Sequence, residues 1–350
     1  MTTLVTGGAG FIGANVAHRL LGGGETVRVF DNLSRAGVDK NLRWLEECHP
    51  RGFELVVADV RDREALRAAV EGVDHVFHFA AQVAVTTSLE DPRLDFAVNA
   101  EGTLNVLEAI RRQPHPPSLI YTSTNKVYGA LEDVALALGG LRYSPVDPHL
   151  LAHGVAESRP LSFHSPYGCS KGTADQYVLD YAHSYGIRAA VFRMSCIYGP
   201  RQFGNEDQGW VAHFMIRALR GEPITIYGDG KQVRDILFVD DLVDAFVRAR
   251  ARIDDLRGRA FNVGGGSLST MSLLELVDEI ERRLRRRPRI SFEPWRVADQ
   301  RYYVSDPRAL GEAIGWTSRV RPEEGITRLY DWLREQPENV VSAGRIAAAS

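Results

Sequence analysis

Apolar and polar positions alternate between two periods along 1–200. Short apolar runs at 3–6, 27–30, 53–58, 73–79, 118–123 and 189–192 have the length of buried strands. Between them, apolar residues recur every three or four positions, as in Ala14, Val16, Ala17, Leu20 and Leu21 and across 96–112. That spacing puts them on one face of a helix. A further helix is predicted over 166–185, where Ala174, Val178, Tyr181 and Ala182 keep the period. Ser165 suits its N-cap and Pro166 its first helical position. Strands alternating with helices predict a doubly wound parallel sheet with helices on both faces. Beyond 200 the alternation lapses, and segments at 210–220, 224–227, 234–239, 260–263, 273–284 and 289–292 read as a smaller mixed α/β lobe. The expected division is a first domain over 1–200 and a lobe over 201–336, with some lobe elements returning to the first sheet. The stretch 337–350 is small and polar and reads as a flexible tail. The segment 130–164 has little periodicity and several Pro and Gly residues, so it reads as a long insertion, a lid over the site.

Composition narrows the class without choosing a chemistry. The 350 residues are 44% hydrophobic and 25% charged, which is ordinary globular composition. A net charge of -3 points to neither a nucleic acid nor a membrane surface as partner. No apolar run approaches the ~20 residues of a membrane helix. The three cysteines, Cys48, Cys169 and Cys196, have no paired or metal-type spacing, which suits reduced thiols and a cytoplasmic protein without a metal. The chain opens directly into a strand pattern, so no signal peptide is expected.

The first strand runs into Gly7-Gly8-Ala9-Gly10-Phe11-Ile12-Gly13 and then into a helix. Strand, glycine turn and helix form the context of a dinucleotide fingerprint. Gly7, Gly10 and Gly13 allow the backbone to approach a pyrophosphate, and the helix start at Phe11 and Ile12 offers it N–H groups. Alone, the motif is equally an ordinary glycine-rich turn. The second strand ends at Asp31-Asn32, near the ~20-residue spacing at which a carboxylate binds the adenosine ribose. Such a carboxylate repels a 2′-phosphate and favours NAD over NADP, and Arg35 nearby weakens that preference only slightly. The third strand ends at Asp59-Val60, where a carboxylate can hold an adenine amino group. The fourth ends at Phe79-Ala80-Ala81-Gln82, whose small residues let a cofactor lie across the strand ends. Together these predict a Rossmann-type NAD-binding domain. Asn99, among apolar residues, is either a satisfied buried amide or a ligand of an active-site loop.

The fifth strand ends at Thr124, and the helix at 166–185 opens with Tyr167 and Lys171 four apart on one face. A phenol with pKa about 10 is a poor base at neutral pH, and a lysine beside it favours the phenolate. Thr124, Tyr167 and Lys171 thus make a set able to bind a hydroxyl and remove its proton. By itself the helix could equally carry a packed tyrosine and a surface lysine.

Taken together, the glycine motif, Asp31, Asp59, Thr124 and Tyr167-x-x-x-Lys171 resemble the extended short-chain dehydrogenase/reductases over nearly the whole chain. Gly228-Asp229-Gly230-x-x-x-Arg234-Asp235 and Arg296-x-x-Asp299 resemble their nucleotide-sugar branch. The segments 123–129, 163–172 and 201–210 resemble the CDP-tyvelose (CDP-paratose) 2-epimerases of that branch. The related 4,6-dehydratases carry an Asp-Glu pair after the threonine, where this chain has Asn125 and Lys126, and an asparagine where it has Cys196. Both departures suit an epimerase. The resemblance implies oxidation of a sugar carbon by NAD, a keto intermediate and hydride return to the other face, with no net redox. It implies Thr124 and Asn125 against the sugar and Arg234 and Arg296 on the diphosphate. Gln208, Trp210 and Tyr227 would line the pocket, and Lys171 would lower the tyrosine pKa and hold the nicotinamide ribose. It also implies a homodimer or homotetramer built on the helices at 96–112 and 166–185. A 4-epimerase acting on a UDP-hexose or UDP-uronate would use the same three residues. A non-catalytic dinucleotide sensor is the reading from another class, and the intact threonine, tyrosine and lysine speak against it.

Overall fold

The computed structural model describes residues 1–336 and Asn339. Seven parallel strands form the central sheet: β1 Thr2–Thr6, β2 Thr26–Asp31, β3 Phe53–Val57, β4 His75–His78, β5 Ser118–Thr124, β6 Ala189–Met194 and β7 Ala260–Val263. Their order is β7-β6-β5-β4-β1-β2-β3. Because side chains alternate faces along a strand, each apolar run feeds two cores. Val5, Val29, Phe77, Ile120 and Phe192 pack on one side against the helices Phe11–Gly22 and Val239–Ala251. Leu4, Phe30, Val76, Leu119 and Val191 pack on the other against Val106, Ile110 and Val178. The strand order reverses between β1 and β4, which opens a crevice at their C-terminal ends, where such sheets bind ligands.

The segment 260–263, read with the lobe, is the returning element: β7 pairs with β6 from Ala260↔Val191 to Val263↔Met194. The lobe keeps two small sheets. Ile224–Tyr227 pairs parallel with Ile290–Glu293. Val233–Phe238 pairs with Cys196–Tyr198, Thr270–Ser272 and Tyr302–Tyr303.

Three expectations need correction. The helix expected over 96–112 is three pieces: Pro92–Phe96, a π-helical turn Ala97–Glu101, and Gly102–Arg111. An extra residue in one turn leaves the apolar recurrence intact, so periodicity does not register it. The catalytic-helix candidate begins at Ser165 itself, with His164 at the N-cap. Ser165 still performs the capping bond, its Oγ accepting the Gly168 N–H at 3.2 Å. The segment 130–164 is not a lid, for none of its residues lines the cavity described below. It folds into a hairpin, Leu136–Leu138 with Tyr143–Pro145, and the helix Pro148–His153. Its apolar residues pack on Tyr303, Tyr302 and Val304. The tail expected over 337–350 lies, apart from Asn339, outside the described residues.

Candidate active site

The crevice holds two cavities of about 480 and 460 Å3 that share Gly7, Gly10, Phe79 and Ala81. One reaches from Asp31, Asn32, Asp59 and Val60 across Ala80 and Gln82. The other runs over Phe11, Ile12 and Gly13 to Thr124, Asn125, Tyr167 and Lys171, and on to Gln208, Trp210, Tyr227, Arg234 and Arg296. The groove is therefore long, with carboxylates at one end and hydroxyls at the middle.

The glycines explain its floor. A Cβ on Gly13 would meet the Gly7 carbonyl oxygen at 2.2 Å, so the helix can sit on the turn only without one. A Cβ on Gly10 would meet only that oxygen, at 3.1 Å, leaving the turn otherwise open toward the groove. Gly10 offers no side-chain cap, so the first N–H groups of the Phe11–Gly22 helix are available to phosphates. Asp31 is oriented from the glycine turn and from its own loop: its carboxylate accepts the Ala9 N–H at 3.0 Å and the Leu33 N–H at 2.9 Å. Burial pushes its carboxyl up, and these N–H groups pull it back. Asp59 accepts from Asn32 Nδ2 at 2.8 Å and from the Arg61 guanidinium at 2.8 and 2.9 Å. The Arg61 contact above all holds the Asp59 carboxyl well below the usual range. These residues fit a dinucleotide: ribose carboxylate, phosphate-binding helix start and small strand ends lie in sequence along one groove.

Asn99 does not line the groove but braces it. Its Oδ1 accepts the Gln82 N–H at 2.9 Å, holding the end of β4. Asn99 Nδ2 reaches Asp95 at 3.1 Å and Ser170 Oγ at 3.0 Å.

Thr124, Tyr167 and Lys171 are all buried and share the cavity wall. Burial pushes the Tyr167 phenol up to about 12, while the Thr124 hydroxyl pulls it down. Burial brings the Lys171 ammonium down to about 7, against the raising influence of Asp175 and Asp95. Lys171 Nζ donates to the Thr122 carbonyl at 2.6 Å and sits 4.4 Å above the Tyr121 ring. The expected lowering of Tyr167 by Lys171 is thus not what sets the phenol here. The ammonium is turned to Thr122, and the cation that favours the phenolate is Arg35.

The lobe end is dense with charge. Arg234 Nη2 donates to Asp299 at 2.8 Å and to the Gln300 carbonyl at 2.5 Å. Lys126 Nζ lies 3.4 Å from the same Asp299 carboxylate and 3.2 Å from the Ala298 carbonyl. Arg296 lies 4.0 Å over the Tyr227 ring and 3.4 Å from Asp207. Gln208 accepts from Arg35, which spans the groove from the opposite wall. Trp210 opens the helix Trp210–Leu219 and packs edge-on against Phe214 at 6.0 Å. Asn125 accepts the Thr124 hydroxyl at 3.3 Å and donates to Gln300 at 3.2 Å. Neither Asn125 nor Lys126 offers the groove a carboxylic acid. Lys126 and Arg35 as cavity residues escape a reading of the sequence, because each reaches its place through a partner far along the chain.

The model of the NAD dependent epimerase/dehydratase family matches residues 3–264. The chain belongs to that family. This epimerase/dehydratase is 44% identical to the CDP-paratose 2-epimerase of Salmonella typhi over 95% of its own length and 99% of that protein. It is 34% identical to the UDP-glucose 4-epimerase of Mycolicibacterium smegmatis, over 97% of its length and all of that chain. Its fold matches the Thermus thermophilus UDP-glucose 4-epimerase solved with NAD, at a TM-score of 0.78 and 33% identity, covering 96% and 99% of the two chains. It matches the Bacillus cereus UDP-glucuronic acid 4-epimerase, solved with UDP-glucuronic acid and NAD, at 0.82 and 25%, covering 96% and 99%. This family member is an enzyme and NAD is its cofactor. Among the described residues no helix is long and apolar enough to cross a membrane.

Proposed function

We propose that the protein epimerises a nucleotide-diphosphate sugar at C2, converting CDP-paratose to CDP-tyvelose or acting on a close analogue. The observation that carries the epimerase part of this reading is the set Thr124, Tyr167 and Lys171 beside the groove with an amide, not a carboxylic acid, at Asn125. The chemistry NAD supplies when bound is uptake of hydride from the carbinol carbon and its return, while its positive ring favours the phenolate. Thr124 orients the sugar hydroxyl by a hydrogen bond, and Tyr167 takes that hydroxyl's proton. Lys171, its ammonium brought down to about 7 by burial, lines the groove beside the tyrosine and would meet the nicotinamide ribose. The planar keto sugar turns over in the pocket, and Tyr167 gives the proton back. Dehydration would also need an acid next to Thr124 to protonate the departing hydroxyl, and Asn125 cannot provide one. Arg234 and Arg296, which line the same cavity, would hold the diphosphate. Arg296 must then leave Asp207, an exchange of one anion for another.

The likeness to the Salmonella typhi CDP-paratose 2-epimerase supports C2 and the cytidine nucleotide. The 4-epimerase relatives support the second reading, the same chemistry at C4 of a UDP-sugar. The test is to incubate the purified protein, without added cofactor, with CDP-paratose, UDP-glucose, UDP-glucuronate and dTDP-glucose, and to follow the anomeric and H2 signals by proton NMR. Conversion of CDP-paratose alone to its C2 epimer is expected. Conversion of a UDP-sugar at C4 would overturn the substrate assignment and keep the mechanism. No conversion, even with NAD supplied, would favour a dinucleotide sensor.

We also infer a homo-oligomer, with a second copy covering the two helices beside the groove. Phe96, Tyr177 and Tyr185 are large aromatic groups exposed there, at 54, 42 and 54%. Sedimentation at micromolar protein is expected to give a dimer or tetramer, and a monomer would refute this.

A further inference from the structure

Asp95 lies where the Pro92–Phe96 helix packs against the Ser165–Ser184 helix, and it is fully buried. One carboxylate oxygen accepts from Asn99 Nδ2 at 3.1 Å, and the other has no hydrogen-bond partner. The contacts continue outward. Asn99 Nδ2 also reaches Ser170 Oγ at 3.0 Å, and Ser170 Oγ donates to the Tyr167 carbonyl at 3.2 Å. Asn99 Oδ1 takes the Gln82 N–H at 2.9 Å, at the edge of the groove. The π-helical turn Ala97–Glu101 places Asn99 between these partners.

Local packing does not call for an acid here. The single bond to Asn99 uses one oxygen, which an asparagine of the same shape would supply. An unpartnered carboxylate oxygen in a sealed site is destabilising, so its presence asks for a reason. The charge is what aspartate adds. The titratable groups that face it are Lys171 and Tyr167 from the catalytic helix and the Tyr121 phenol from β5. Lys171 faces in turn Asp175 on its own helix and His78 on β4, and Tyr167 faces Arg35.

We propose that Asp95 is a positioning residue for the tyrosine–lysine pair: it orients Asn99 and Ser170 and supplies a fixed negative charge that the Lys171 ammonium faces. The proposal rests on the reading of Tyr167 and Lys171 as the proton-transfer pair. A fixed negative charge favours the protonated forms of both groups, the ammonium and the phenol. Burial raises the Asp95 carboxyl and Lys171 acts to keep it ionised, while the Ser170 hydroxyl beside it donates to the Tyr167 carbonyl instead.

The test is Asp95→Asn, which keeps the shape and removes the charge, with Asp95→Ser as a second neutral replacement should the first fail to fold. Two curves are compared with wild type: the pH profile of kcat, and the phenolate titration of Tyr167 by ultraviolet difference against Tyr167→Phe. Both limbs of the profile and the phenolate midpoint are expected to move to lower pH by about one unit. Retained NAD, read from the absorbance of the denatured protein's supernatant, is expected to match wild type. A fall in kcat with both curves unmoved would mean a structural part only and would overturn the proposal. An unchanged enzyme would do the same. If wild type epimerises no sugar, the functional reading fails, while the Tyr167 titration still decides the part played by Asp95.

Discussion

At the scale of single residues, the site is a problem of proton placement. The Tyr167 phenol is driven up to about 12 by burial and the Lys171 ammonium down to about 7 by the same cause. Both groups are thereby biased toward their neutral forms, and the Thr124 hydroxyl and Arg35 are the groups that favour the phenolate. On the proposed function Tyr167 exchanges a proton with the bound sugar hydroxyl, and these two groups offset part of what burial costs its phenolate. Tyr167→Phe removes the hydroxyl and keeps the ring. It is expected to lower kcat by ~10^2–10^4 through loss of general acid–base catalysis, with retained NAD unchanged. Steady-state kinetics and the NAD content of the purified variant check this together. Substantial turnover in the variant would mean that some other group moves the proton.

At the scale of elements, the Ser165–Ser184 helix is fixed to the sheet by a buried ion pair. Arg193 on β6 donates from Nε and Nη2 to Asp175 on the Ser165–Ser184 helix, both at 2.9 Å. Arg193 Nη1 also reaches the Tyr128 hydroxyl at 3.2 Å, and that hydroxyl donates to Asn262 on β7 at 2.8 Å. Breaking such a pair from one side strands a buried charge. Asp175→Ala is therefore expected to destabilise the fold by about 3–5 kcal/mol, read as a lower urea midpoint. A loss within experimental scatter would mean that Arg193 finds another partner. The elements themselves differ in how far they are legible in the sequence. Strands β1 to β6, the glycine turn and the tyrosine–lysine helix show through because each has a local signature: an apolar run, a Gly-rich turn, a four-residue spacing. Membership of β7 does not show, since Ala260–Val263 looks like any short strand and its partner β6 lies far upstream. The π turn at Asn99 is hidden by the intact apolar period around it. In the site, Thr124, Tyr167, Lys171 and Asp31 follow from strand ends and helix spacing. The bridge of Lys126 and Arg234 through Asp299 depends on how a lobe loop comes to rest, which no local pattern encodes.

At the scale of the whole molecule, stability has a built-in acid limit, because the centre of the sheet holds a histidine that must stay neutral. His78 on β4 is fully buried, with Nδ1 2.7 Å from Thr6 Oγ1 and Nε2 3.0 Å from Thr103 Oγ1. Thr103 gives its own proton to the Asn99 carbonyl at 2.6 Å, so its oxygen accepts and His78 Nε2 carries the ring proton. Nδ1 is left to accept from Thr6. Burial, with Lys171 adding to it, lowers the His78 pKa to about 3. In the unfolded chain the same imidazole takes up a proton below about 6.5. Between those two values the unfolded state binds the extra proton, so stability falls as pH falls, by about 1.4 kcal/mol per pH unit for this group. His75, buried in the same strand, is lowered for the same reason and adds to the slope. His78→Gln cannot take up the proton. It is expected to be less stable than wild type at neutral pH, through poorer packing, yet to lose less stability on acidification. Urea unfolding at a series of pH values from neutral to about 4.5 measures both slopes, within the window set by the folded and unfolded values. Equal slopes in the two proteins would show that His78 titrates normally in the native state, and that the sheet centre admits a charge the packing around it says it excludes.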